Sequence, residues 1–512
     1  MFLVNGIKLL PDENESMLSE KAAKKLSCGT GNIKKLKIIK KSIDARKKPC
    51  YVYTVAVEVL NKKGIVAPLY EEKMPLCVRK RSFDKRPVVV GFGPAGMFCA
   101  YFLAKAGACP VVIERGRSVE KRAEDISAFR LGTPLDENSN ICFGEGGAGT
   151  FSDGKLTTGI NSIYVKEVLE TFVRMGAPED ILYSFKPHVG SDILPEVVKN
   201  IRKEIISLGG EVKFEEKFTA LKLHDGRVCS VVTDKGEYET DTAILAIGHS
   251  ARDTFEYLWS LGANMTAKPF SVGARIEHKQ KNISFSQFGE DFGKFPAADY
   301  KLSVHLEGAS VYTFCMCPGG YVTNSSSSKG EIVTNGYSMR ARDGENANSA
   351  VLVSVSPESF GLNPLAGIAF QRGIEKSAYD VTMSYKAPCQ LVGDFLKGKP
   401  SVSLGNVEPT YDKGVHLCEI DSCLPSFITD AMRKGITAFA NKIKGFDSYD
   451  AVLTAPETRS SSPVRIVRGE DMESNIKGLY PVGEGSGYAG GITSSAVDGI
   501  EAALKIIERN EF

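Results

Sequence analysis

The residues best suited to chemistry are Val88-Val-Val-Gly91-Phe-Gly93-Pro94-Ala95-Gly96, followed eighteen positions later by Glu114 at the end of the next apolar run. Each glycine answers a separate steric demand. Gly91 makes a tight turn, Gly93 lets the backbone approach a pyrophosphate, and Gly96 lets a helix pack closely on a strand. The helix predicted over 95–106 then aims its first NH groups at that anion, an attraction worth about 1 kcal/mol. The Glu114 carboxylate is placed to accept ribose hydroxyls and disfavours a 2′-phosphate. Three glycines at this spacing recur by chance. A strand before them, a helix after them and an acid downstream make the segment a dinucleotide-binding turn.

A second literal match, Gly144-Glu-Gly146-Gly147-Ala-Gly149, has no convincing strand in front of it, and Thr150 opens no helix behind it. Its run of NH groups suits a phosphate nest or a floor under a flat ring, with Gly147, Gly149 and Thr150 in contact and Ser152 and Lys155 nearby; a plain flexible loop is the alternative. No further strand, glycine turn and helix with its own acid follows. A dedicated nicotinamide domain is therefore not predicted, and any NAD(P)H would bind transiently as an electron donor. Cys315 and Cys317 form a lone C-x-C without a second pair or a histidine cluster, so no metal is expected. Cys418 and Cys423 have the spacing of a redox disulfide, but they lie far from the glycine turn that such a pair would serve.

The elements that must position these residues fall into several units, as 512 residues exceed what one hydrophobic core usually organises. Residues 1–80 read as a small basic module: strands over 2–9, 35–42 and 51–60 around one helix over 15–26, an order that predicts a ferredoxin-like α+β unit. Charged residues 78–86 form the linker. A buried strand from Pro87 and another over 111–114 flank the glycine turn. A helix over 196–208, a strand over 211–214, a β-meander over 219–241 and a buried strand over 242–247 complete the first part, residues 81–267. Residues 268–451 change texture and are predicted to be an inserted α+β substrate domain with helices over 385–396 and 425–443; Ser325–Ser328 is their most polar tract. Residues 452–512 return to the first unit, with a helix over 494–507.

A formal charge of +2 argues against a surface built for nucleic acid or a membrane. The chain has no signal-peptide core and no run of eighteen apolar residues, so a soluble, cytoplasmic protein with reduced thiols is expected.

Three ordered motifs then become informative together. Val88–Gly96 with Glu114-Arg115-Gly116, Thr242–Gly248, and Gly478-Leu-Tyr-Pro-Val-Gly483-Glu484 resemble the FAD fingerprints of the glutathione-reductase-type superfamily, specifically its bacterial FAD-dependent dehydrogenases of unassigned substrate. Segments 143–156 and 458–466 resemble signatures of that group. The resemblance covers residues 80–512 and implies a Rossmann-like α/β FAD-binding domain. It places Gly248 near the dinucleotide and an acid at position 484 on the ribityl chain, where many relatives carry Asp and this chain has the longer Glu484. It also implies that the last helix points its N-terminus at the flavin, with backbone contacts from Gly490, Gly491 and Ile492 that stabilise the reduced ring.

The expected activity is an FAD-dependent oxidoreductase acting on a small molecule. Tyr312-Thr-Phe-Cys315-Met-Cys317-Pro-Gly319-Gly320 resembles the cavity strand of geranylgeranyl reductases, with imperfect spacing; a strand ending in a turn explains it equally well. Cys315, Cys317, Gly319 and the anion-binding candidate Arg459 are the substrate-site expectations. His249 and His278 could approach a substrate, but no side chain is assigned as catalytic acid or base. The competing readings are an RNA-directed flavoprotein that uses Lys34, Lys35, Lys37, Lys40, Lys41, Lys47 and Lys48 as a platform, and a non-enzymatic flavin sensor.

Overall fold

The computed structural model describes residues 1–72, 74 and 76–509. Five three-residue strands form one parallel sheet in the order Leu479–Pro481, Ala243–Leu245, Val88–Val90, Val111–Ile113, Glu211–Lys213. The first four are buried throughout, as expected of a sheet covered on both faces. Pro481 falls on the edge strand, where its missing NH breaks no ladder. The helices Pro94–Lys105 and Ile492–Arg509 pack against each other. Their closeness depends on glycine, because a Cβ on Gly499 would lie 2.1 Å from the Ala95 carbonyl oxygen and one on Gly96 would lie 2.0 Å from that of Gly91. The meander Phe218–His224, Arg227–Thr233, Glu237–Glu239 forms where the turn residues predict it.

A second sheet has seven strands, in the order Ser303–Leu306, Ala309–Cys317, Asn346–Val355, Phe270–Lys279, Val452–Glu457, Ala387–Leu391, Val415–Leu417. It is antiparallel except for the last pair. Two expectations change here. Residues 385–396, read as one helix, split into the Ala387–Leu391 strand and the short helix Val392–Lys397. Pairing with Val452–Glu457 on one side and Val415–Leu417 on the other recruits that stretch, so tertiary context overrides its apolar spacing. Val452–Glu457, assigned from sequence to the returning flavin unit, lies inside the second sheet beside Phe270–Lys279. The chain returns only with Val464–Ile466, which pairs with Met265–Ala267. Ser325, Ser326 and Ser327 are buried despite the polarity of their tract.

His278, on the Phe270–Lys279 strand, is buried; its Nε2 donates to the Phe446 carbonyl at 2.8 Å, and its Nδ1 has no partner. Burial lowers its pKa from 6.5 to about 4, opposed first by the hydrogen bond to the Phe446 carbonyl and then by Asp450 and Asp447. A base whose folded pKa is depressed keeps its full contribution above 6.5 and loses it as pH falls towards 4. Between those limits, stability should fall by up to about 1.4 kcal/mol per pH unit on account of this residue. Urea midpoints measured from pH 7 to pH 4 should show a shallower loss in His278→Gln than in the parent. Parallel slopes would mean that the imidazole is not held neutral.

The N-terminal module is a three-stranded antiparallel sheet, Phe2–Leu9, Cys50–Val59, Ile33–Asp44, with the helix Met17–Lys25. The strand, helix, strand, strand order is the one expected and supplies four of the six elements of a ferredoxin-like unit. The second helix and fourth strand of the predicted fold do not occur among the described residues. Its lysines are largely engaged: Lys34, Lys37 and Lys41 pair with Glu58, Glu72 and Glu15, and Lys40 lies over the Phe185 ring. Among the described residues, no helix is long and apolar enough to cross a membrane.

Candidate functional site

The carboxyl ends of the parallel strands face the Ala309–Cys317 strand of the second sheet across a cleft of about 730 Å³. Its first wall is the Gly91-Phe-Gly93 turn. Gly91 sits at φ +96°, in the left-handed region that glycine tolerates, and a Cβ there would lie 2.4 Å from the Ala246 carbonyl oxygen. Glu114, at the end of the neighbouring strand, is buried, and its carboxylate accepts three backbone NH groups: Phe92 at 2.8 Å, Gly116 at 2.9 Å and Gly144 at 3.0 Å. One side chain therefore ties the first glycine turn, its own turn and the second glycine run together.

The second run is part of the same wall. Gly146 N donates to the Phe92 carbonyl at 2.8 Å, and a Cβ on Gly147 would lie 3.0 Å from Gly93 Cα. Gly144, Gly147, Ala148 and Gly149 line the cleft. Arg122, absent from the sequence expectations, organises the run. It is fully buried and donates to the carbonyls of Asn140 (2.8 Å), Ile141 (2.8 Å), Gly144 (3.4 Å) and Glu145 (2.6 Å). Burial lowers its pKa to about 10, with Glu114 opposing. Nothing in the sequence announces it, because its partners are main-chain carbonyls. Glu145 is also buried, and burial raises its carboxyl to about 7.

The wall continues into the turn after the Ala243–Leu245 strand and into the C-terminal segment, which packs on it: a Cβ on Gly483 would lie 2.7 Å from Ala95 Cβ, and one on Gly149 2.8 Å from Ile492. Gly248, Gly483, Glu484, Gly490, Gly491 and Ile492 all line the cleft. A Cβ on Gly248, Gly490 or Gly491 would meet no atom within 4 Å, so these backbones border open space. Asp498, also missed from sequence, accepts from Gly483 N at 2.6 Å and from the Arg468 guanidinium, fixing the turn before Glu484. Glu484 lies 3.3 Å from His249 Nδ1.

The expected residues are not all brought together. Pro94, Ala95 and Arg115 line the cleft, with Arg115 over the Phe143 ring and bonded to Asp253. Gly96 and Thr150 do not: Gly96 serves helix packing, and buried Thr150 packs beneath Gly146. Of the substrate candidates, Cys315 faces the cleft. Cys317 points away into a buried contact with Arg275, and Gly319 forms the turn that follows the strand. Arg459 reaches the cleft wall, but Glu375 takes its Nε and Nη2 at 3.2 and 2.9 Å, while Ser250 and Ser327 take its Nη1. Glu375 is shared with Arg252, and the Nε, Nη1 and Nη2 of Arg459 are all spent on protein partners, which leaves no free donor for the anion expected there. His278 is remote, in the core of the second sheet.

Comparison with known proteins finds relatives of the chain. Residues 269–460 match the family described as "FAD-dependent protein, C-terminal domain-like", and residues 1–59 match a domain of unknown function. Among solved structures, glycine oxidase from Bacillus cereus is 13% identical over 84% of this chain and 96% of that one, with a TM-score of 0.32. A geranylgeranyl bacteriochlorophyll reductase-like protein from Thermoplasma acidophilum is 12% identical over 83% and 79%, with a TM-score of 0.37. Both likenesses are too distant to transfer chemistry. A Clostridium beijerinckii protein described as "Uncharacterized protein" is 46% identical over 524 residues, covering 99% of this chain and 98% of that one. The chain thus belongs to the same family as the clostridial protein, and it carries within that family an FAD-dependent C-terminal-type domain.

Proposed function

We propose that the protein is an FAD-dependent oxidoreductase that moves two electrons between a reductant and a small-molecule substrate. The observation that carries this reading is a cleft whose walls are two interlocked glycine runs, a buried carboxylate and the start of a long helix, with no Cβ at Gly248, Gly490 or Gly491 to fill it. The residues fit FAD. Gly91 and Gly93, with the first turn of the Pro94–Lys105 helix, would hold the pyrophosphate. Glu114 would hold the adenosine ribose, and Gly490, Gly491 and Ile492 would lie at the flavin end. When bound, FAD supplies two-electron transfer at N5. The chain's part is to position the reactants, to exclude water and to set the charge around them; NADH or NADPH is the proposed transient donor.

The test is direct. Purified protein should carry a yellow chromophore that is released as FAD on denaturation, and one nicotinamide should bleach it anaerobically. A colourless protein that takes up no added FAD would end this reading. FAD that neither nicotinamide bleaches would end only the choice of donor.

A further inference from the structure

The two ends of the cleft differ in charge. Near the glycine turns, the carboxylates Glu114, Glu216 and Glu484 line it, and Arg115 and Arg459 give their donors to Asp253 and Glu375, carboxylates shared with Lys217 and Arg252. At the other end, Lys155, Lys186, Lys301 and Arg342 face only Asp153 and Asp299, since Glu457 is neutralised by Arg275 at 3.0 Å. Lys186 pairs with Asp299 at 2.6 Å. Asp153 is shared between Lys155 at 3.4 Å and Arg342 at 3.5 Å. Burial would raise Asp153, but Lys155 and Arg342 outweigh it and hold its pKa at about 2, so it is ionised. Burial depresses nearby His188 to about 4, leaving it neutral. One carboxylate between two permanent cations leaves a positive charge over, and Lys301 adds another.

Arg342 is the least satisfied of these groups. Its Nε is buried without a hydrogen-bond partner, and its one ion pair is longer than a good hydrogen bond. Arg115 and Arg459 at the same cleft each spend their guanidinium on neighbours. Arg342 also sits at φ +53°, a left-handed conformation that costs a non-glycine residue energy and persists where the surroundings impose it. Gly319 is part of that imposition, because a Cβ there would lie 1.9 Å from the Arg342 carbonyl oxygen. The glycine expected to touch substrate instead makes room for the arginine.

We propose that Arg342, with Lys155 beside it, is the docking point for a carboxylate group on the substrate, so that the protein acts on a carboxylate-bearing small molecule. A guanidinium with unspent donors at the wall of a cleft is matched in geometry and charge by a carboxylate, which it can grip through two parallel hydrogen bonds. Lys155, whose ammonium also donates to the Met316 carbonyl, supplies the second charge. This inference rests on the oxidoreductase reading, which makes the cleft a substrate site, but its test does not need turnover.

Benzoate and its neutral isostere benzamide are titrated calorimetrically into the FAD-containing protein, the parent alongside Arg342→Met and Arg342→Lys. Benzoate should bind saturably and at least about tenfold more tightly than benzamide. Arg342→Met should lose about tenfold or more in benzoate affinity with its FAD content unchanged, and Arg342→Lys should fall between. Equal binding of the two probes by the parent, or unchanged benzoate affinity in Arg342→Met, overturns the proposal. If Arg342→Met does not fold, the two probes on the parent still decide. A protein devoid of FAD would defeat the flavin reading alone, because the same titrations would still report on the anion site.

Discussion

Arg122→Met is expected to abolish FAD retention and to cost the first unit several kcal/mol of stability. The guanidinium is sealed from solvent, and its donors satisfy four carbonyls within residues 140–145. Methionine fills similar volume but leaves the Asn140, Ile141 and Glu145 carbonyls without that donor, while the Gly144 carbonyl keeps the Gly147 NH at 2.9 Å; each buried acceptor that water cannot reach costs about 1–3 kcal/mol. Even with relaxation the loss should approach about 4 kcal/mol, at the upper end for single substitutions. The loop that would move carries Gly144, whose NH binds Glu114, and Gly146, whose NH binds the Phe92 carbonyl, so the damage passes directly to the first glycine turn. Arg117→Met is the control. That arginine is half-exposed, pairing with Asp125 at 2.7 Å and Glu215 at 3.1 Å, and such surface pairs are worth about 1 kcal/mol or less. Urea titration together with FAD stoichiometry after gel filtration separates the two. Arg122→Met protein with parental midpoint and full FAD would show that the second glycine run holds its shape without the buried cation.

Legibility from sequence followed the range of the forces involved. The strand, turn and helix at 88–105 were readable because their signals are local: a buried apolar triplet, glycines at fixed offsets and an acid at the end of the next strand. The helix 492–509 and the meander 218–239 were readable for the same reason. Residues 385–396 were not. Their apolar spacing suits a helix, and only pairing with strands at 415–417 and 452–457 makes the first half extended. The boundary at 451 failed likewise, because a buried strand gives no sign of which sheet it joins. Within the cleft, the glycines and Glu114 announced themselves, whereas Arg122 and Arg342 did not. The first is defined by main-chain carbonyls and the second by a strained turn, and neither leaves a spacing pattern. Gly319 shows the intermediate case: the sequence marked the position as special, and the structure assigns the reason to backbone crowding against Arg342.

Glu114→Gln should reduce FAD affinity by at least about tenfold although it changes neither size nor shape. The carboxylate presents acceptors on both oxygens: Oε1 takes the Gly116 and Gly144 NH groups, and Oε2 takes that of Phe92. A carboxamide accepts on one side only. If its oxygen keeps the two NH groups, its NH2 must face Phe92 N–H, donor against donor; if it is flipped, two NH groups are orphaned. Either arrangement disturbs the turns, and the amide also replaces the charged acceptor proposed for a ribose hydroxyl; a hydrogen bond to a charged group is worth about 1.5–3 kcal/mol, and 1.4 kcal/mol is already tenfold in affinity. Glu114→Ala removes every acceptor at once and should fall further. The loss has a signature that general damage would not produce. The carboxylate is proposed to hold the adenosine half of the cofactor, so the variants should weaken FAD while leaving the weaker binding of FMN, which lacks adenosine, close to that of the parent. Fluorescence-quenching titrations of apoprotein with each flavin read both affinities. Parallel losses for FAD and FMN would mean that Glu114 merely braces the turns. Unchanged FAD affinity would place the ribose elsewhere and remove the anchor from the cofactor assignment.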